Sequence, residues 1–82
     1  MDKQEIFTQL KGYLQQLFDV DPETVTLQTN VYTDLHLDSI DAVDLVVLLQ
    51  RVTGKKIRPE DFKKVRTVED IVDSIHSLLQ TP

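Results

Sequence analysis

The chain has no cysteine. That excludes a disulfide framework, a thiolate metal site and a protein thiol nucleophile. Its two histidines, His36 and His76, lie far apart and form no ligand-spaced pair. Glycine is scarce, with only Gly12 and Gly54, so the sequence holds no glycine-rich nucleophile elbow or oxyanion loop. Long apolar runs are missing too. The longest, Leu45–Leu49, falls far short of the roughly 20 residues that span a bilayer. Met1-Asp2-Lys3-Gln4-Glu5 opens with mixed charge and no long apolar run follows, so no signal peptide is read there. The expectation is a soluble, cytoplasmic protein with no membrane span.

Basic residues are scarce in the first half. Residues 1–50 carry two basic and nine acidic side chains, and the net charge of the whole chain is −5. This acidic majority argues against nucleic acid as a partner. Residues 51–66 reverse the sign, with Arg51, Lys55, Lys56, Arg58, Lys63, Lys64 and Arg66 against Glu60 and Asp61. The simple reading of that segment is a solvated surface offsetting its acidic neighbours.

What is present fits one small domain, residues 1–82. A chain of this size buries about 60–65% of its unfolded surface, enough for one modest core and no deep cleft. A binding, carrier or regulatory module is therefore favoured over an enzyme. Helical periods dominate. Asp2 can cap a helix over residues 3–18 whose stripe is Ile6, Leu10, Tyr13, Leu14 and Leu17. Asp21-Pro22-Glu23 marks a turn. Residues 19–38 form a long connection, but Val25, Leu27, Val31, Tyr32, Leu35 and Leu37 should pin it to the core.

A second helix starts near Ser39, capped by Asp38 or Ser39, and stops at Gly54. It carries two apolar stripes: Leu45, Val46, Leu49 and Val52, and then Ile40, Val43 and Val47. Periodicity alone does not decide whether the second stripe is buried or is an exposed docking patch rimmed by Asp41 and Asp44. Ile57-Arg58-Pro59-Glu60-Asp61-Phe62 reads as a short helix with proline in its first turn. Thr67 caps a last helix, with Asp70 three residues on and Val68, Ile71, Val72, Ile75, Leu78 and Leu79 along one face. The expected fold is all-α, a small four-helix bundle of three main helices plus a short third, with a long loop between helices 1 and 2.

The stretch "DLHLDSID", residues 34–41, holds a hydroxyl, an imidazole and carboxylates together. A catalytic triad is a poor reading. His36 is only three residues from Ser39, and Asp34, Asp38, Asp41 and Asp44 would repel an anionic intermediate. The spacing of an EF-hand calcium loop is absent, so no metal site is read here. On the residues alone, Ser39 is a helix cap.

"DLHLDSIDAVDLVVLLQ" resembles the modification motif of acyl carrier proteins, Asp-Leu-Gly-x-Asp-Ser-Leu followed by a helix opening Asp-x-Val-Glu-Leu. Asp34, Leu35, Asp38, Ser39, Asp41, Val43, Asp44 and Leu45 match it identically or by close substitution, and Ile40 stands for leucine. The likeness runs on through "IRPEDFKKVRTVEDIVDSI" and so covers essentially the whole chain. The resemblance implies a discrete carrier with no catalytic residues and no activity of its own. Ser39 would receive a 4′-phosphopantetheine arm from coenzyme A, whose thiol would hold acyl groups as thioesters.

Asp38 would assist that modification, carried out by a phosphopantetheinyl transferase. Ile40, Asp41, Val43, Asp44 and Val47 would form the surface for partner enzymes. Those partners would be the ketosynthase, acyltransferase or ligase, reductase and dehydratase of a fatty-acid-like or polyketide or polyene pathway. The carrier alone would be a monomer. Leu49, Val52, Ile57, Phe62, Val65 and Ile71 are candidates to line an acyl pocket.

Three departures from the pattern stand out. His36 occupies the usual glycine position, Thr53 replaces a large apolar residue, and basic residues replace acidic ones beyond Gln50. The last suggests a specialised rather than a housekeeping carrier. A peptidyl or aminoacyl carrier is the nearest alternative. A helical interaction module, with Ser39 merely a cap, comes from a different class, and a small serine hydrolase is a distant third.

Overall fold

A computed structural model describes residues 2–62 and 64–80. Lys63, one of the basic residues noted above, lies outside them. Among the described residues, four α-helices follow in order: α1 (Lys3–Phe18), α2 (Ser39–Thr53), α3 (Pro59–Phe62) and α4 (Val68–Gln80). A 3-10 turn over Pro22–Thr24 stands where the Asp-Pro-Glu turn is expected. The all-α bundle with a long α1–α2 loop is thus as the sequence predicts.

Each boundary has a local cause. Asp2 accepts the Glu5 N–H at 2.8 Å and starts α1. The helix ends at Asp19, which takes a left-handed conformation at φ 58° and donates its N–H to the Gln15 carbonyl. Gly54 ends α2 at φ 69°, where glycine meets no Cβ penalty. α3 begins at Pro59, two residues later than the apolar pattern suggests, because proline presets the first helical φ and needs no N–H acceptor there. Thr67 and Asp70 cap α4 reciprocally. The Asp70 N–H donates to Thr67 Oγ1 at 3.2 Å, and the Asp70 carboxylate accepts the Thr67 N–H at 3.1 Å.

The core lies where α1, α2 and α4 meet. Leu10, Leu14, Leu45, Leu49, Val68, Ile71 and Val72 are fully enclosed. Burying each such side chain contributes roughly 1.5–3 kcal/mol. Two expected stripe residues depart from this. Leu17 and Val52 are exposed, at 38% and 46%. Leu17 lies on the last turn of α1, and Phe18 and Val20 pack against the core instead. Val52 lies on the last turn of α2 at the rim of a cavity described below.

The long loop is packed as its composition suggests. Val25, Val31 and Leu37 are buried, and Leu27, Tyr32 and Leu35 lie against the core. Its backbone is tied to the start of α4. The Val31 N–H donates to the Arg66 carbonyl, the Val68 N–H to Thr29 and the Glu69 N–H to Leu27, each at 2.9 Å. Asn30 and Thr67 form an isolated antiparallel bridge. Two N–H groups that α4 itself cannot satisfy are therefore satisfied by the loop.

Candidate functional site

The loop ahead of α2 is organised by Asn30. Its side-chain oxygen accepts the N–H groups of Tyr32 and Thr33 at 2.9 and 3.0 Å. Its own N–H donates to Asp34 at 2.8 Å, and its carbonyl accepts from Asp34 and Leu35. The Leu37 N–H then donates to the Val31 carbonyl at 3.0 Å, closing the loop. His36 sits in the left-handed region at φ 58°, the conformation that suits glycine. Its side chain is exposed. Asn30 was not among the residues the sequence singled out. Its signal was an asparagine followed four residues later by aspartate in a turn-rich segment.

Asp38 is the cap of α2, and Ser39 is the first helical residue. Asp38 Oδ1 accepts the Asp41 N–H at 2.9 Å, while Asp41 Oδ2 accepts the Asp38 N–H at 3.2 Å. The two aspartates form a reciprocal capping box, so the choice between Asp38 and Ser39 resolves to Asp38. The Ser39 side chain is exposed, and its hydroxyl meets no hydrogen-bond partner among the described residues. The N–H groups of Ser39 and Ile40 are likewise without acceptors there.

The motif's carboxylates are mostly engaged in local structure. Asp34, Asp38 and Asp41 each direct one oxygen at a backbone N–H. Asp44 is exposed and has no such partner among the described residues. His36 lies on the loop, and no bond joins it to Ser39 among the described residues. No group of three or more potential ligands gathers to hold a metal ion among them either.

The second apolar stripe of α2 faces solvent. Ile40 is 73% exposed, and Val43 and Val47 are each 46% exposed. Leu45, Val46 and Leu49 point into the core instead. The six pocket candidates do not line one cavity. Leu49 and Val52 border a cavity of about 110 Å³ between α1, α2 and α4, with Ile6, Tyr13, Thr53 and Ile75. Ile57 and Phe62 border a separate groove of about 390 Å³ against α4, beside Ser74 and Leu78. Val65 and Ile71 are enclosed core residues. The first cavity falls at Thr53, where the smaller side chain leaves space. Thr53 Oγ1 donates back to the Leu49 carbonyl at 2.7 Å.

A phosphopantetheine group fits the residues at the start of α2. Its phosphodiester would sit where the free N–H groups and positive dipole end of a 15-residue helix favour an anion. Its attachment would require an accessible hydroxyl, and its thiol would supply a function that the cysteine-free chain lacks.

Comparison with known proteins agrees with this geometry. The sequence profile of the family described as a phosphopantetheine attachment site matches residues 8–75. Acyl carrier protein 2 of Ralstonia nicotianae is 46% identical over 79 residues, which cover 96% of this chain and 98% of that protein. The acyl carrier protein of Coprothermobacter proteolyticus is 37% identical over 81 residues, 99% of each chain. The crystal structure of the Thermotoga maritima acyl carrier protein superimposes with a TM-score of 0.84 at 26% identity, covering 98% of this chain and 93% of that one. With matching motif, fold and relatives over nearly its full length, the chain belongs to the acyl carrier protein family, non-catalytic carriers whose cofactor is covalently attached phosphopantetheine.

Proposed function

We propose that Ser39 is the attachment residue and that the protein carries acyl intermediates as thioesters on the arm it bears. The observation that carries this reading is the division of labour at the start of α2. Asp38 caps the helix, which leaves the Ser39 hydroxyl exposed and without a structural task. A serine that merely capped the helix would have its oxygen on the N–H of Asp41 or Ala42, which Asp38 takes instead with its side chain and its carbonyl. In the modification step Ser39 Oγ attacks the β-phosphorus of coenzyme A. An O–P bond forms, the pyrophosphate bond breaks, the hydroxyl proton passes to base in the transferase, and 3′,5′-adenosine diphosphate leaves. Bound there, the arm supplies the thiol that holds the acyl group. Asp38 assists by keeping the helix start, and so the hydroxyl, in place.

Ile40, Val43 and Val47, with Asp41 and Asp44 at their rim, serve as the face presented to the transferase and to the synthase, reductase and dehydratase of the pathway. The exposure of all three apolar side chains supports this. The pathway is fatty-acid-like or of polyketide or polyene type, and the carrier is a specialised, cytoplasmic, discrete domain. Its basic residues 51–66 support specialisation, because docking charges set partner choice and encounter rate.

Intact mass after incubation with coenzyme A, magnesium and a broad-specificity phosphopantetheinyl transferase tests the attachment. One arm is expected on the native protein and none on Ser39→Ala. A folded native protein that stays unmodified overturns the reading. Loading the arm with acyl against aminoacyl donors then separates the acyl carrier from a peptidyl one.

A further inference from the structure

The exposed stripe of α2 does not end at Val47. At 3.6 residues per turn, Ile40, Val43 with Asp44, Val47 and Arg51 fall on one outward face. Arg51 is exposed, like the others. At 1.5 Å per residue, Asp41 and Asp44 stand about 15 and 10 Å from Arg51 along the axis. Charge changes sign over that distance. Residues 34–44 carry Asp34, Asp38, Asp41 and Asp44 and no lysine or arginine, while residues 51–58 carry Arg51, Lys55, Lys56 and Arg58 and no anion. Ten to fifteen ångströms is between one and two Debye lengths at physiological salt, so the two ends meet a partner largely as separate charges rather than as a neutral pair.

Arg51 and Lys56 are exposed and engage no anion among the described residues. The dipole of α2 accounts for a cation in its last turn and so for Arg51. It does not account for Lys56, which lies beyond the cap at Gly54.

We propose that α2 docks through a two-signed contact. Its partner presents cations opposite Asp41 and Asp44, an apolar seat for Ile40, Val43 and Val47, and anions about 10–15 Å further along, opposite Arg51 and Lys56. This rests on the carrier reading, since the partner is an enzyme acting on the group attached at Ser39. A one-signed surface can hold a charged helix in either direction. A two-signed surface fixes which end of α2 meets the entrance of the active site. Arg51 and Lys56 also act against wrong partners, because a uniformly cationic docking surface meets like charge there.

The probes are a ketosynthase with a uniformly basic docking rim and a derivative in which two rim cations facing the end of α2 are changed to glutamate. The native carrier and R51E/K56E are each loaded with the same acyl-phosphopantetheine, checked by intact mass, and compared by kcat/KM for extension. The native protein is expected to prefer the glutamate derivative by about tenfold, and the variant to prefer the parent by a similar factor. Both preferences should shrink as salt rises from 50 to 500 mM, a roughly threefold drop in Debye length. Equal kcat/KM for all four pairs, with loading intact, overturns the two-signed contact and leaves the carrier reading standing. Failure of the native protein to accept an arm at Ser39 overturns both. R51Q/K56Q, which removes the cations without adding anions, should fall between the two. Its matching the native protein would show that charge at these positions is not what the partner reads.

Discussion

The separation of cap and attachment residue can be measured by three substitutions at adjacent positions. Asp38→Ala removes the acceptor of the Asp41 N–H and leaves the Asp41 carboxylate as the remaining half of the box. Loss of such a cap costs about 1 kcal/mol, within a range of roughly 0.5–2. In a domain of this size 1 kcal/mol moves Tm by about 4–8 °C. Ser39→Ala removes a hydroxyl with no partner and places a better helix former at the first helical position. Its effect should therefore stay within about 0.5 kcal/mol, and its sign can be favourable. Asp38→Asn keeps a cap oxygen of equal rank and gives up only the charge at the helix start, worth about 0.3–1 kcal/mol. The predicted order of stability is Ser39→Ala at or above the native protein, Asp38→Asn slightly below it and Asp38→Ala lowest. Thermal unfolding followed by far-ultraviolet circular dichroism measures all three. Intact mass in the presence of the transferase should rank them differently, with Ser39→Ala alone unable to take an arm. If Ser39→Ala loses as much stability as Asp38→Ala, the hydroxyl belongs to the fold and cap and attachment residue are not separate.

Thr53→Leu should raise stability by about 1 kcal/mol by filling the cavity beside Leu49 and Ile75, and denaturant unfolding at constant m-value would show it. A loss of stability would mean that the Thr53 hydrogen bonds outweigh the void. His36→Gly should stabilise by about 0.5–1 kcal/mol. Relief of the left-handed penalty of roughly 1–2 kcal/mol exceeds the entropy glycine adds to the unfolded chain, about 0.5–1. His36→Val should destabilise, and the same unfolding assay reads both. The Asp70 carboxyl is held below its ordinary value by the backbone N–H groups of Arg66 and Thr67. A depressed carboxyl stabilises fully above its unfolded value of 3.8 and loses that contribution as pH falls through the folded one. Stability measured from pH 6 down to pH 2 should thus fall less steeply in Asp70→Asn than in the native protein.

Much of this architecture is legible in the sequence because it rests on local rules. The period of α4 and the Thr67–Asp70 pair lie within a few residues of each other. α1 and α2 likewise show their limits through Asp2 and Gly54. Stripe membership fails at helix ends. Leu17 and Val52 have the right spacing, but the last turn of a helix runs past the neighbours that would cover it. The second stripe of α2 could not be placed by period, since burial there depends on whether another element lies over it. The choice of cap could not be made either, because aspartate and serine are equally good at that position. Least visible of all was the tie between the loop and α4. It is made by backbone groups of residues 27–31 and 66–69, which leave no side-chain pattern to read.

That tie has a consequence for when the protein can be modified. The turn that precedes Ser39 hangs on Asn30, and the neighbours of Asn30 are held by groups near the far end of the chain. During synthesis the ribosome must emit the residues around Val68 before the segment ahead of Ser39 gains its ties to α4. A growing chain therefore displays the serine early but its final setting late. An enzyme that recognises the set loop would pass over nascent chains in which residues 66–69 have not yet emerged. Protection of the Val31 and Val68 amides from hydrogen exchange should appear and disappear together, as one opening event shared by two segments distant in sequence.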